Sequence, residues 1–514
     1  MNRVVTPTVL LAVLLTGLGA CRREAAPPPR PLNVVFIVLD TLRPDRLGIH
    51  GNPRRPSPHL DAFLERTCLF EEAQTVAPWT APSLITLMTG LHPEAHGVLE
   101  HPEPARLSEE VVTLAEVLSR EGYETAAFTE GGYAKPQFGL AQGFDVYPPL
   151  PGDETEVHSI HEHGSRIARN VDRTLEWLRG RGGRPFFLFF HTYETHQPYR
   201  APQELVRRFV PGFDDAAEHE RIVALVERWN REKEISREGC VTLLLHRLRT
   251  ALIGIPRIED SAGLYARARE LGIEPRAPHE VPEVVERARA LYDATVVHAD
   301  LHVQRLLAAL EEAGRLEDTL IVLVSDHGEA LGEHEEMQHG EGLHEPVMRI
   351  LLAIRDPALP PRRVTGVASI ADVAPTVLDR LGRKGRLPDA SGRSLLPRLR
   401  GEEADEPAFS HGLAVTRAAD PFHGVRTREW RLILDAGTGG ARLFDRRADP
   451  AELADVASAH PGEARRLADL VRAHRARMLL LGQRLGPTSR PAGLDAATLE
   501  DLKRLGYVGE DEPR

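Results

Sequence analysis

The chain has 514 residues, of which 42% are hydrophobic and 27% charged, so it can bury a large globular core. Its formal net charge of -12 excludes nonspecific nucleic-acid binding, which needs a basic face. An anionic substrate is not excluded, because a bound metal reverses the local field of a site.

Arg3 precedes an apolar run from Val9 to Ala20, too short to span a bilayer and read as a signal peptide. The run ends in Leu18-Gly19-Ala20-Cys21, which resembles a bacterial lipobox. That resemblance implies cleavage before Cys21 and lipidation of its thiol, hence an exported protein anchored in a membrane. Arg22, rather than Asp, follows the cysteine, which by resemblance to enterobacterial lipoprotein sorting implies the outer membrane, facing periplasm or cell surface. Residues 22–31 are charged and Pro-rich and read as a tether. Only Cys68 and Cys240 remain, which allows one disulfide, requires none, and excludes a four-cysteine zinc site.

Three continuous apolar runs predict buried parallel strands: Val34 to Leu39, Phe186 to Phe190 and Leu320 to Val324. Each is followed closely by metal-type or acid/base residues, Asp40, His191 and Asp326-His327. Sites of open α/β sheets form at the carboxyl ends of strands, so these residues predict one shared site. Apolar spacing of three to four predicts helices over Leu114 to Gly122, Ser165 to Arg179 and Leu291 to Ala313. The alternation predicts an α/β domain over residues 32–400, with a mostly parallel sheet covered by helices on both faces. Residues 204–286, rich in Arg, Glu and Leu and broken near Ile253 to Pro256, read as a helical insertion. Strands over Arg426 to Leu434 and Ala441 to Phe444, then a helix over Pro461 to Leu485, predict a small C-terminal α+β subdomain at 401–485 before a polar tail at 486–514.

The chemistry concentrates in four segments. Asp40 ends the first strand, where a carboxylate can hold a divalent metal. In Pro78-Trp79-Thr80-Ala81-Pro82-Ser83, Thr80 sits where a helix cap would, and its hydroxyl beside a metal is a candidate nucleophile. His191 and His196 lie in a loop after a strand, where they can bind an oxyanion or act as acid and base. Ser325-Asp326-His327-Gly328-Glu329, continuing to Gln338-His339-Gly340, offers adjacent metal ligands beside a flexible glycine.

In this order the segments resemble the sulfatase family of the alkaline phosphatase superfamily. Asp40, Thr80-Ala81-Pro82-Ser83, Thr89-Gly90, His196-Gln197-Pro198-Tyr199 and Ser325-Asp326-His327-Gly328 carry the resemblance. Ser57 to Asp61, Gly139 to Asp145, Asp372 to Thr376 and Leu443 to Asp445 with Asp449-Pro450 support it. The resemblance implies that Asp40, Asp326 and His327, with Thr80 completing the shell, bind one divalent ion, Ca²⁺ or Mn²⁺ before Zn²⁺. It implies that Thr80 attacks phosphorus or sulfur, and that His196 and His339 contact the transferred group or protonate the leaving oxygen. Trp79 and His191 are expected to touch substrate.

Three departures from the family pattern shape the reading. Thr80 stands where sulfatases carry the cysteine that becomes formylglycine, Leu84 replaces the following arginine, and Thr41 replaces the second aspartate of the opening pair. Threonine nucleophiles resemble those of phosphotransferases, and a phosphate ester on threonine can be displaced by water or an alcohol. The expected function is therefore cleavage of phosphate or sulfate esters of a glycan, lipid or small molecule by a metal-dependent hydrolase or transferase. The alternative is a catalytically inactive lipoprotein that holds anionic glycans or lipid headgroups.

Overall fold

The structure, a computed structural model, describes residues 31–502 without 100–103, 150–164, 249–257, 259, 274–280, 341, 413–421, 487, 489–497 and 500. The signal sequence, Cys21, the tether as far as Arg30, the break at Ile253 to Pro256 and most of the tail lie outside the described residues.

From Leu32 onward the chain is one compact unit. Its strands are β1 (Asn33–Leu39), β2 (Cys68–Gln74), β3 (Glu124–Phe128), β4 (Phe186–Thr192), β5 (Thr319–Val324), a short hairpin β6 (Ala330–Leu331) and β7 (Met337–Gln338), then β8 (Leu352–Arg355) and β9 (Arg362–Ser369). Seven of them form a sheet in the order β3-β4-β1-β5-β8-β2-β9. All its pairs are parallel except those of β8, which runs antiparallel between β5 and β2. All seven residues of β1 are buried, as a strand covered on both faces requires. Val34, Phe36 and Val38 enter one apolar core while Val35, Ile37 and Leu39 enter the other, the two-residue period of a strand made visible.

The helices begin where local chemistry tells them to. Leu114–Arg120 opens on a capping box in which the Thr113 hydroxyl accepts from Glu116 N–H at 3.1 Å and Glu116 accepts from Thr113 N–H at 2.9 Å. Arg166–Gly180 is capped by Ser165. The helix predicted from Leu291 starts earlier and runs over Pro282–Glu312, because Pro282 suits a first turn and Val284 and Ala288 extend the buried stripe. Helices Gln203–Val206, Asp215–Glu232, Arg237–Leu248 and Ser261–Glu270 occupy the described part of residues 204–286.

Past Pro397 a second, antiparallel sheet follows: β10 (Ala408–His411), β11 (Phe422–Arg426), β12 (Trp430–Asp435) and β13 (Ala441–Asp445). The strand predicted over Arg426 to Leu434 is corrected to the end of β11, a turn and β12: Thr427 and Trp430 bond across the turn, and Arg426 pairs with Arg431. Val425, Leu432, Leu434 and Leu443 pack against Leu467, Ala468 and Val471 of the helix Pro461–Leu485. Cys68 and Cys240 are buried, free thiols.

Candidate active site

Strands β4, β1 and β5 are neighbours, so their carboxyl ends bring His191, Asp40 and Asp326-His327 together. Asp40 N–H donates to Thr192 O at 3.0 Å, and the Thr195 hydroxyl donates to Asp40 O. The next residue, Thr41, takes φ 57°, a left-handed backbone that costs a β-branched residue roughly 1–2 kcal/mol. Three bonds hold it there. Its N–H donates to Asp326 Oδ1 at 3.2 Å, its hydroxyl donates to Asp40 O at 2.7 Å, and the Tyr292 hydroxyl donates to its carbonyl at 2.8 Å. Thr41 thus serves as the bend that aims Asp40.

Thr80 is the first residue of the helix Thr80–Thr89, with Trp79 in the cap position. This corrects the expected cap by one residue: Trp79 has the extended backbone (φ -162°) of a cap and supplies no side-chain acceptor. The Thr80 hydroxyl faces Asp40 and His327. It donates to Asp40 Oδ2 at 3.1 Å and lies 3.3 Å from His327 Nε2. The shift keeps Pro82 in the first turn, where its missing N–H costs nothing. The Trp79 ring is buried, meeting Tyr133 edge-on at 5.4 Å.

Asp40, Asp326 and His327 are fully buried and offer ligand atoms within 4.8 Å of one another. His327 Nδ1 faces Gly328 O at 2.8 Å, so it carries the proton and leaves the Nε2 lone pair toward the cluster. That nitrogen is 3.6 Å from Asp326 Oδ2 and 3.9 Å from Asp40 Oδ1. Neither of those oxygens has a hydrogen-bond partner among the described residues, although both are buried. Burial first, and the Asp326 charge second, push the Asp40 carboxyl well above the usual carboxylate range. Two unpaired carboxylate oxygens, an imidazole lone pair and a hydroxyl fit a divalent cation, whose charge would offset that burial.

Around this cluster stand the other predicted residues. His191 Nε2 is 3.4 Å from Asp40 Oδ2, and burial lowers its pKa to about 4, so the ring is neutral. His339 packs against both His327 and His196, with ring centroids 4.5 and 4.8 Å apart. Its Nδ1 lies 3.0 Å from Glu329 Oε1, in a buried carboxyl that desolvation raises to about 8. Glu130 accepts the N–H of Tyr193 at 3.0 Å and is likewise lifted by burial, to about 7. Tyr292 and Glu329 are supporting residues that sequence reasoning gave no role. Glu329 lay in view within the Asp326 segment, whereas nothing local marks Tyr292.

The loop carrying Asp326 and His327 is held by backbone from the segment entering β8. Ser325 N–H donates to Leu351 O at 3.0 Å, Gly328 N–H to Val347 O at 2.8 Å and Glu329 N–H to Pro346 O at 3.1 Å. A Cβ on Gly328 would fall 2.1 Å from Pro346 O, so only glycine permits that approach.

Fold and site together define a sulfatase-like ester hydrolase of the alkaline phosphatase superfamily. Residues 32–383 match the Sulfatase family. The chain belongs to that family. It is 23% identical over 478 residues to an arylsulfatase of Clostridium perfringens, covering 82% of this chain and 90% of that protein. Among solved structures it resembles BT4656 in complex with D-glucosamine-2-N,6-O-disulfate, with a TM-score of 0.67, 22% identity and coverage of 87% and 98%. It also resembles the phosphonate monoester hydrolase of Agrobacterium radiobacter, with a TM-score of 0.63, 23% identity and coverage of 89% and 96%.

Proposed function

We propose that the protein hydrolyses phosphate mono- or diesters through a covalent phosphoryl-Thr80 intermediate, in preference to sulfate esters. The observation that carries this reading is the buried Thr80 hydroxyl, 3.1 Å from Asp40 Oδ2 and 3.3 Å from His327 Nε2, at the start of a helix whose first-turn N–H groups favour an anion. Asp40, Asp326, His327 and Thr80 would hold one divalent ion, Ca²⁺ or Mn²⁺ before Zn²⁺. That ion would supply Lewis-acid charge stabilisation.

Asp40 Oδ2 orients the Thr80 Oγ–H and accepts its proton as Oγ bonds to phosphorus and the P–O bond to the leaving alcohol breaks. His196 or His339 gives that alcohol a proton. Water then gives a proton to that histidine as its oxygen attacks phosphorus, the Oγ–P bond breaks, and Asp40 returns the proton to Thr80 Oγ. A sulfate ester on threonine lacks the elimination route available to a formylglycine hydrate, and Thr80 cannot become formylglycine. The names of the relatives, an arylsulfatase and a phosphonate monoester hydrolase, span sulfur and phosphorus esters. The lipobox-like segment supports an exported, membrane-anchored enzyme lipidated at Cys21.

The test is intact mass of the domain lacking residues 1–21 after brief incubation with aryl phosphate, aryl phosphodiester or aryl sulfate, with Ca²⁺ or Mn²⁺. A phosphate-sized adduct on the wild type, absent from Thr80→Ala, together with phenol release, supports the proposal. Turnover of the sulfate alone overturns the substrate class. Metal binding without turnover of any ester favours the inactive anion-holding protein.

A further inference from the structure

Away from the catalytic cluster, a second set of ligand-type side chains meets where the C-terminal sheet touches the main body. His411 on β10 and His423 on β11 are directly opposed in the antiparallel register, which puts their imidazoles side by side, with ring centroids 5.0 Å apart. Glu94 reaches them from the short helix Pro93–His96, just beyond the far end of the helix that begins at Thr80. His411 N–H also donates to Val76 O at 2.8 Å, tying β10 to the body. All three side chains are buried, at 8, 8 and 2% exposure for Glu94, His411 and His423.

The spacing is informative. Glu94 Oε1 is 3.3 Å from His411 Nδ1 and 3.4 Å from His423 Nδ1. A charge-assisted N–H···O bond closes to about 2.7–2.9 Å. Two donors each about 2.05 Å from one tetrahedral ion lie about 3.3 Å apart. The observed separations suit two nitrogens and an oxygen facing a shared ion.

We propose that Glu94, His411 and His423 form a second metal site, selective for zinc, that pins the C-terminal sheet to the body of the enzyme. Two imidazoles and one carboxylate suit Zn²⁺ and are poor ligands for Ca²⁺ or Mg²⁺. The oxygen-richer catalytic cluster has the opposite bias, so the two sites can be loaded separately. Three protein donors leave one position for water. His92, two residues before Glu94, meets the His474 ring edge-on at 4.5 Å and continues the histidine lining on that side.

The experiment is zinc uptake by the full chain in detergent, stripped with chelator and titrated with ZnCl₂ in excess CaCl₂, read by calorimetry and elemental analysis. The double variant Asp40→Asn/Asp326→Asn removes the catalytic cluster and is expected to retain one tightly bound zinc. Adding His423→Gln or Glu94→Gln should weaken that zinc at least tenfold. Co²⁺ substituted into the double variant should give visible d–d absorption of a low-coordinate nitrogen/oxygen site, which reports the site without a further mutation. No zinc and no cobalt spectrum in the double variant would overturn the proposal. So would a His423→Gln chain that keeps its fold by circular dichroism and its zinc affinity.

Discussion

Thr80→Ala separates chemistry from folding more sharply than any other change. It removes one hydroxyl whose neighbours are Asp40 Oδ2 at 3.1 Å and His327 Nε2 at 3.3 Å. The lost hydrogen bond is worth about 1 kcal/mol net, and the lost methyl about another 1 kcal/mol. Alanine is at home in a first helical turn, so the expected destabilisation is about 2 kcal/mol, a few degrees in Tm for a domain this size. Catalysis should fall far more. Deleting the nucleophile of a covalent mechanism costs on the order of 10⁴ to 10⁶ in kcat. Thr80→Ser keeps the oxygen and should lie within about tenfold of wild type while losing about 1 kcal/mol of stability. The assay is phenol release from an aryl phosphate under saturating metal, with urea unfolding of each variant alongside. Retention of more than a tenth of wild-type kcat by folded Thr80→Ala would refute a nucleophilic role for Thr80.

Glu329→Gln preserves an acceptor beside His339 Nδ1 but removes a buried carboxyl that can take up or release a proton there, and should lower kcat about ten- to a hundredfold with KM little changed; an unchanged kcat would remove Glu329 from the positioning of His339. Asp300 accepts the N–H groups of Leu60 at 2.6 Å and His59 at 3.3 Å at the start of helix Pro58–Leu64, and burial raises its pKa from 3.8 to about 6. Because the folded value is above the unfolded one, its contribution to stability is full below about pH 4 and is lost as pH rises through about 6. Asp300→Asn should flatten the stability profile over that window by up to about 3 kcal/mol, measured by urea midpoints. Cys21→Ser should move the chain from the membrane to the soluble fraction and remove the lipid mass; equal membrane retention of both forms would count against the anchor.

The strands were legible because a strand buried on both faces must be apolar over most of its length, and β1, β4 and β5 are so over residues 34–39, 186–190 and 320–324. Their order in the sheet was not, yet that order is what sets Asp40 between His191 and Asp326. The meeting of Asp40, Asp326 and His327 could be read because they follow β1 and β5 within three residues. Glu94 and His411 lie 317 residues apart, so no local pattern announces their meeting. Thr41 is the instructive middle case. Its sequence shows an aspartate lost from the family pattern, and only the backbone (φ 57°) shows what the position does instead. The helix starts at Thr80, one residue ahead of the start its sequence suggests, because Trp79, an unusual cap, adopts the extended conformation without offering a side-chain acceptor.

The reversed strand β8 has a consequence for divergence. By returning antiparallel to β5, it delivers residues 346–351 alongside the Asp326-His327 loop and fastens that loop through main-chain groups. Main-chain fastening does not itself depend on which side chains the fastening segment carries. Val347, Met348, Ile350 and Leu351 are buried and can exchange only for other apolar residues, but such exchange leaves the fastening bonds in place. Gly328 is the exception, since any side chain there meets Pro346 O. Along this stretch, inheritance is expected to be strict at one glycine and limited to apolar exchange in the segment that holds the loop.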